Sequence, residues 1–217
     1  TAQLEVLIED GSVVAPGDIA FHVEANTIKL LQAERLVLNY MQRLSGVATK
    51  TAAYAKMVAH TNCTILDTRK TTPGLRVLEK WAVALGGGGN HRMGLYDMVM
   101  LEDNHIHFVG GIGPAVARVR TYLAKENKDL KIEVETRDLN EVKEALEVQV
   151  DRIMLDNFTP AQTLQAVDLI DGKAEVESSG GITEKTLVSY AQCGVDFISV
   201  GALTHHIKSL DMSLKAV

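Results

Sequence analysis

Residues 131–156, KIEVETRDLNEVKEALEVQVDRIMLD, contain a complete strand–helix–strand unit. Two short runs that contain Val, Ile or Leu, Lys131–Glu135 and Arg152–Asp156, stand at its ends. Between them, Asp138 and Glu141 have the spacing of a helix capping box. Runs of this length predict strands of a parallel sheet that is buried on both faces. The stretch therefore predicts two strands joined by a helix, as in an α/β domain.

Four further runs of the same kind occur along the chain, each followed by a helical stretch. They are Cys63–Asp67, Met98–Glu102, Ala174–Ser178 and Asp196–Val200. Six strand–helix alternations predict βα units wound into a barrel. Polar residues or glycines follow the C-terminal ends of these strands, and that face carries the active site of such barrels. They are Asp67, Arg69, Lys70, Glu102, Asn104, His105, Glu135, Asp156, Asn157 and residues 178–181.

The first part of the chain has a different pattern. Short strands joined by turns are predicted at Leu4–Ile8, Val13–Val14 and Ile19–Val23. Residues 27–59 form a long helical stretch, for which a break near Gly46 is an open alternative. We therefore divide the chain into part of a small N-terminal domain, residues 1–46, and a barrel, residues 47–217. We expect the last residues to pack back on the N-terminal domain.

Composition limits the function classes. The chain has 217 residues, with 28 acidic and 22 basic ones and a net charge of -6, which argues against nucleic acid or an anionic membrane as partner. No apolar run reaches membrane-spanning length. Cys63 and Cys193 stand alone without metal-ligand spacing, which suits a reducing, cytoplasmic compartment.

A basic cluster lies inside this acidic chain. Between residues 68 and 97 it contains Arg69, Lys70, Arg76, Lys80, His91 and Arg92. Clustered Arg and Lys beside a Gly-rich turn predict a clamp for carboxylate or phosphate, against the alternative of a solvated loop. Gly86–Gly89 is either a linker or, as we favour, a place where backbone approaches a ligand closely. It lacks the Lys-Ser/Thr ending of a P-loop.

Two carboxylates at neighbouring strand ends suggest a second site. Glu135 and Asp156 either cap helices or together hold a divalent cation or stabilise positive charge on a sugar. A zinc site at His105 and His107 is a weaker alternative because no third ligand is evident.

Seven motifs resemble a known family in sequence and in order. They are TRKTTPGLR, GGGGNHRMGLYD, DNH, EVE, LDNF, SSGGIT and FISVGALT. They resemble quinolinate phosphoribosyltransferase, the decarboxylating enzyme of NAD biosynthesis. The resemblance implies an incomplete α/β barrel of the type II phosphoribosyltransferase kind and part of an N-terminal α/β sandwich domain, shortened at its start. It also implies a Mg²⁺-dependent reaction of quinolinate with 5-phosphoribosyl 1-diphosphate that gives nicotinate mononucleotide, diphosphate and CO2.

The resemblance assigns roles to individual residues. Arg69, His91 and Arg92 correspond to quinolinate-binding residues, and Lys70 corresponds to a catalytic residue near the phosphoribosyl donor. Glu135 and Asp156 correspond to the acidic pair at the ribose and metal. Phosphate-holding backbone is expected at Ser179, Gly180, Gly181 and Gly201. Arg35 corresponds to an arginine that reaches the neighbouring subunit's site, which implies a homodimer or a larger assembly.

Glu102 departs from the family pattern, which has lysine here. The explanations that stay open are an inactive or engineered variant, a paralogue with a changed ligand, and compensation by another cation. Two other functions also stay open. One is a related paralogue of the molybdenum-transport type with another acceptor, and the other is a non-catalytic barrel that binds a phosphoribosyl ligand.

Overall fold

The fold is a mixed α/β architecture, seen in a computed structural model that describes residues 2–217. The strands are β1 (Gln3–Val6), β2 (Phe21–Glu24), β3 (Thr64–Leu66), β4 (Val99–Leu101), β5 (Ile132–Thr136), β6 (Arg152–Asp156), β7 (Glu175–Ser179) and β8 (Phe197–Ser199). The helices are α1 (Thr27–Val58), α2 (Arg76–Leu85), α3 (Asp103–Val109), α4 (Ile112–Lys125), α5 (Leu139–Glu147), α6 (Pro160–Ile170), α7 (Leu187–Ala191) and α8 (Ala202–His205).

Six parallel strands form the central sheet in the order β3-β8-β7-β6-β5-β4. Because β3 and β4 stand at opposite ends of this order, the barrel is open between them. Gly89 forms a parallel bridge with Leu66 on the free edge of β3. The six predicted strands and the incomplete α/β barrel are thereby confirmed.

The core explains why these runs form strands. Val134, Ile153 and Leu155 are completely buried, and helices flank the sheet between successive strands. Residues at alternate positions of a strand share one face, so Glu133 and Glu135 of β5 point the same way. This alternation gives the barrel interior a set of charged side chains among apolar ones.

The N-terminal part contains one antiparallel pair, in which Val6 of β1 lies opposite Phe21 of β2. Val13 and Val14 belong to no strand, so that part of the prediction was wrong. The helix α1 is not broken at Gly46. A Cβ there would lie 2.4 Å from the carbonyl oxygen of Lys208, so glycine is required by close packing rather than by a break.

The last residues lie along α1. The backbone N–H of Leu210 donates to the oxygen of Gln42 at 3.0 Å, and the Gln42 amide donates to the oxygen of Met212 at 2.9 Å. The division between residues 46 and 47 falls inside α1 and stays a prediction.

Within residues 2–217, none of the helices combines the length and the apolar character needed to cross a bilayer.

Candidate active site

The C-terminal ends of the strands bring two groups of opposite character to one face of the sheet. We name Arg69, Arg92 and Glu102 the arginine corner, and Glu135 with Asp156 the acidic corner. Arg69 follows β3 and Glu102 follows β4, whereas Glu135 lies in β5 and Asp156 ends β6. The two predicted sites are therefore two parts of one surface.

In the arginine corner a carboxylate lies close to both cations. The Oε1 atom of Glu102 accepts from Nη2 of Arg92 at 3.0 Å and lies 3.9 Å from Nη2 of Arg69. Arg92 is 7% exposed. Burial, followed by repulsion from Arg69, lowers its pKa, while Glu102 acts in the opposite direction. The corner thus holds a carboxylate by two guanidinium groups, and here the carboxylate belongs to the chain itself.

A buried ion pair supports the segment that carries Arg92. Lys80 and Asp67 are in contact and completely buried. The backbone N–H of His91 donates to Asp67 Oδ1 at 3.0 Å, and its carbonyl accepts from Lys80 Nζ at 2.8 Å. Both polar backbone groups of His91 are therefore fixed by charged side chains.

The glycine run Gly86–Gly89 has a packing role, and the ligand contact that we favoured stays a prediction. A Cβ on Gly86 would lie 2.4 Å from the oxygen of Ala48, and one on Gly88 would lie 2.7 Å from Thr51 Cγ2. A Cβ on Gly89 would meet the side chain of Leu66 at 2.8 Å. There is no room for larger side chains at Gly86, Gly88 and Gly89, because the run lies between α1, α2 and the edge of β3.

The ring of His91 points into the barrel interior. Its Nε2 lies 3.0 Å from Oε2 of Glu133 and 3.4 Å from Oε2 of Glu177, and both glutamates are completely buried. Its Nδ1 accepts from the backbone N–H of Arg92 at 2.7 Å. Arg152 Nη1 contacts Glu177 Oε2 at 3.1 Å from the other side.

The contact between His91 and Glu133 shifts the pKa values of both groups. Burial lowers the pKa of His91, and its contacts with Glu133 and Glu177 raise that pKa only while these carboxylates are ionised. Burial and repulsion from Glu177 raise the pKa of Glu133 to about 7. A doubly protonated ring would direct an N–H at the N–H of Arg92, so we place the additional proton on Glu133 and keep His91 neutral, with its proton on Nε2.

The acidic corner has an excess of negative charge. Glu135 and Asp156 are both half-buried. Burial, followed by repulsion from Asp156, Asp103 and Glu102, raises the pKa of Glu135 to about 7. Asp156 Oδ2 accepts from the Asn157 amide at 2.6 Å. Clustered carboxylates of this kind favour a cation at the end of β5 and β6.

Glycine loops follow the last two strands. Gly180 and Gly181 have φ values of 86° and 62°, a left-handed backbone that suits glycine. A Cβ on Gly180 would also lie 2.3 Å from Oδ1 of Asn157. The exposed side chain of Lys70 lies close to Gly201. A Cβ on Gly201 would lie 3.3 Å from Cδ of Lys70. Lys70, Ser179 and the three glycines thus lie on the same face as the two corners.

A brace holds the loop that contains Lys70. Completely buried Glu79 accepts from Arg43 Nε at 2.8 Å and from the backbone N–H of Thr72 at 3.0 Å. The hydroxyl of Thr204 donates to the Lys70 carbonyl at 2.9 Å. The loop after β3 is therefore joined to α1, α2 and α8.

Some residues that were predicted to bind ligands do not join the two corners. Arg35 is exposed on α1 and forms no side-chain hydrogen bond or ion pair with residues 2–217. His105 is used locally, since its Nδ1 accepts from the backbone N–H of Glu102 at 3.0 Å. Among the described residues, His105 and His107 belong to no group with metal-ligand spacing, and this zinc alternative gains no support.

Glu133, Glu177 and Arg152 were not among the site residues predicted from the sequence. A signal for them was present, because Glu133 and Glu177 are charged residues in the middle of strands predicted to be buried on both faces. A charge at such a position needs a partner, and that requirement points to an interior network.

Comparison with known proteins fits this architecture. The family profile described as quinolinate phosphoribosyl transferase, C-terminal domain, matches residues 47–215, and its N-terminal domain profile matches residues 1–45. The chain belongs to the quinolinate phosphoribosyl transferase family. Its fold is accordingly that of a type II phosphoribosyltransferase with part of the N-terminal domain of this family.

Individual members of the family are similar over nearly the whole chain. A chloroplastic nicotinate-nucleotide pyrophosphorylase (carboxylating) of Arabidopsis thaliana is 48% identical over 98% of the chain, and a probable enzyme of this name from Bacillus subtilis is 42% identical over 95%. The chain spans 65% and 70% of their lengths. The crystal structure of NadC from Streptococcus pyogenes has a TM-score of 0.93 and 40% identity, covering 99% of this chain and 75% of its own.

Proposed function

We propose that the chain transfers the phosphoribosyl group of 5-phosphoribosyl 1-diphosphate to quinolinate with decarboxylation. The products are nicotinate mononucleotide, diphosphate and CO2. The observation that carries this proposal is the arginine corner, where Arg92 and Arg69 hold a carboxylate beside a group of acidic residues. Family membership and the names of the relatives support the same reaction.

Quinolinate would bind in the arginine corner. Guanidinium forks match the planar geometry of carboxylates, and Arg92 and Arg69 come from different loops. Burial of Arg92 strengthens this pairing because less water screens it. To bind there, a substrate carboxylate must replace that of Glu102 on Arg92.

The donor would bind between the glycine loops and the acidic corner. Backbone N–H groups at Gly180, Gly181 and Gly201 would hold phosphate oxygens, and Lys70 would neutralise further negative charge. Glu135 and Asp156 would stabilise positive charge as the bond from ribose to diphosphate lengthens. The pyridine nitrogen then forms a bond to the ribose carbon as diphosphate leaves.

Decarboxylation needs no separate protein base in this scheme. After ribosylation the ring nitrogen is cationic and stabilises the electron pair that remains on carbon 2 when CO2 leaves. A proton then adds to that carbon. The protein binds and orients the ring during this step.

Mg²⁺ suits the residues of the acidic corner. The raised pKa of Glu135 reflects burial and the surrounding carboxylates, a donor set of hard oxygens. Glu135 and Asp156 would hold the ion, which would neutralise charge on the diphosphate group.

The assembly and the compartment also belong to this proposal. We infer a homodimer in which the exposed Arg35 reaches the neighbouring site. We propose a cytoplasmic location, whereas relatives from plants carry chloroplastic and mitochondrial names.

The test is steady-state formation of nicotinate mononucleotide from quinolinate, donor and Mg²⁺. Product formation that requires all three supports the proposal. Quinolinate binding without product from the full-length protein would instead indicate a non-catalytic barrel. Turnover of the donor with another acceptor only would indicate a paralogue of the molybdenum-transport type.

A further inference from the structure

Both ring nitrogens of His91 are already in contact with protein groups. Nδ1 accepts from the backbone N–H of Arg92 at 2.7 Å. Nε2 lies between two completely buried carboxylates, at 3.0 Å from Glu133 and 3.4 Å from Glu177. Since the residue is 7% exposed, the ring has little surface to offer a substrate.

The same contacts argue against a metal at this place. One oxygen or nitrogen from each of His91, Glu133 and Glu177 lies within 4.8 Å of the others, which is a spacing that a metal could use. However, the N–H of Arg92 occupies the lone pair of Nδ1, so Nε2 carries the ring proton and has no lone pair for a metal. Arg152 supplies the cation beside Glu177.

Two buried carboxylates at such a position destabilise the fold unless cations or hydrogen-bond donors compensate them. Glu133 in particular lies in the middle of β5, and neither of its carboxylate oxygens accepts a well-aligned hydrogen bond from residues 2–217. The His91 ring lies beside it, with Nε2 at 3.0 Å from Oε2 of Glu133. Both glutamates therefore lie beside the same nitrogen of the His91 ring.

We propose that Glu133 and Glu177 are positioning residues that hold the ring of His91, and that His91 fixes the backbone of Arg92 instead of binding the acceptor itself. A chain of contacts runs from the barrel interior through His91 to the N–H of Arg92, whose guanidinium faces the carboxylate subsite. Asp67 and Lys80 fix the backbone of His91 on its other side. That the acceptor is a pyridine dicarboxylate rests on the proposed function.

A double-mutant cycle on quinolinate affinity tests this role. Glu133→Gln should raise the quinolinate Kd by about 10- to 100-fold through misplacement of Arg92, with the donor KM changed less than about twofold. The double variant Glu133→Gln/His91→Asn should bind quinolinate no more weakly than His91→Asn alone, because both changes break the same chain of contacts. Glu175→Gln is the matched control, since Glu175 contacts Arg152 but not His91, and its Kd should stay near that of the wild type.

An unchanged Kd in a folded Glu133→Gln variant, or effects that multiply in the double variant, would overturn the proposal. A second measurement does not depend on quinolinate binding or on the proposed reaction. Nitrogen-15 NMR of the wild-type His91 ring should show a protonated Nε2 and an unprotonated Nδ1. A proton on Nδ1, or a ring signal unaffected by Glu133→Gln and Glu177→Gln, would refute the inferred contacts even if the protein binds no quinolinate.

Discussion

The arginine corner and the acidic corner lie on one face of the sheet, but their charges are balanced to different degrees. Arg92 already has a carboxylate partner in Glu102. Glu135, by contrast, is surrounded by Asp156, Asp103 and Glu102, and burial with this repulsion raises its pKa to about 7. The difference indicates that a ligand enters the first corner by replacement, whereas the second corner favours an added cation.

Glu102 connects the two corners because it acts on both. It attracts Arg92 and Arg69 on one side and repels Glu135 on the other. A single change at this position therefore alters the charge balance of the whole face.

Removal of the buried cation should abolish most of the acceptor affinity. Arg92→Ala leaves Glu102 and any substrate carboxylate without their closest partner, and we expect quinolinate binding to weaken by about 2–5 kcal/mol. Calorimetric titration with quinolinate measures this loss. Arg118→Ala, a change at an exposed arginine of α4, is the control. If wild type and Arg92→Ala bind quinolinate with equal affinity, Arg92 does not contact the acceptor.

A smaller loss is expected from the second arginine. The side chain of Arg69 is 35% exposed, and it lies 3.9 Å from Glu102, compared with 3.0 Å for Arg92. Arg69→Ala should therefore weaken quinolinate binding by about 1–3 kcal/mol, in the range of hydrogen bonds to charged groups. The same titration checks it. A loss greater than that of Arg92→Ala would reverse our ranking of the two cations.

Neutralising Glu102 should improve acceptor binding. The side chain is 40% exposed, so solvent screens its ion pair with Arg92, and removal of the competing carboxylate should tighten quinolinate binding by only about 1 kcal/mol. Glu102→Gln tests the competition, and Glu102→Lys adds a cation and should bind at least as tightly. Weaker binding by both variants would show that Glu102 supports the site instead of competing for it.

The raised pKa of Glu135 in the acidic corner should change how the stability of the protein depends on pH. The carboxyl of Glu135 keeps its proton to about pH 7 in the folded chain, but releases it near pH 4.3 when unfolded. Between these values the folded state binds more protons, so this group makes the protein less stable as pH rises. Because Glu135 is half-exposed, screening reduces the effect to about 1 kcal/mol or less.

Glu135→Gln lacks this penalty. Its Tm relative to the wild type should rise from pH 4 to pH 7 and stay constant above that, and Mg²⁺ at pH 8 should stabilise the wild type more than the variant. Thermal unfolding across this pH range checks both statements. Parallel pH profiles of the two proteins would contradict the excess negative charge at the acidic corner.

Much of the fold could be predicted because buried parallel strands leave a strong local signal. Runs such as Arg152–Asp156 are short, apolar and followed by helices, and the structure has a strand with these bounds. The break considered at Gly46 is not present, because glycine in a helix has two uses. It permits a helix to break, and it permits close approach of another chain segment, here at Lys208.

The sequence could predict which residues belong to the candidate site, but not which of them contact each other. The sequence placed Glu102 at the end of a predicted strand, whereas its pairing with Arg92 depends on how two loops fold. The orientation of His91 depends on Glu133 and Glu177, which are far apart in sequence and come together only through the sheet order. Long-range contacts of this kind leave no spacing pattern in the chain.

The central claim is that this face joins a phosphoribosyl group to quinolinate and releases CO2. The most direct test is a reaction with quinolinate labelled with carbon-14 at the 2-carboxylate, in the presence of donor and Mg²⁺. We expect labelled CO2 and nicotinate mononucleotide to form in equal amounts, only with donor present, and both to fall sharply in Arg92→Ala. Quinolinate binding without labelled CO2, or a nucleotide product that keeps the label, would contradict it.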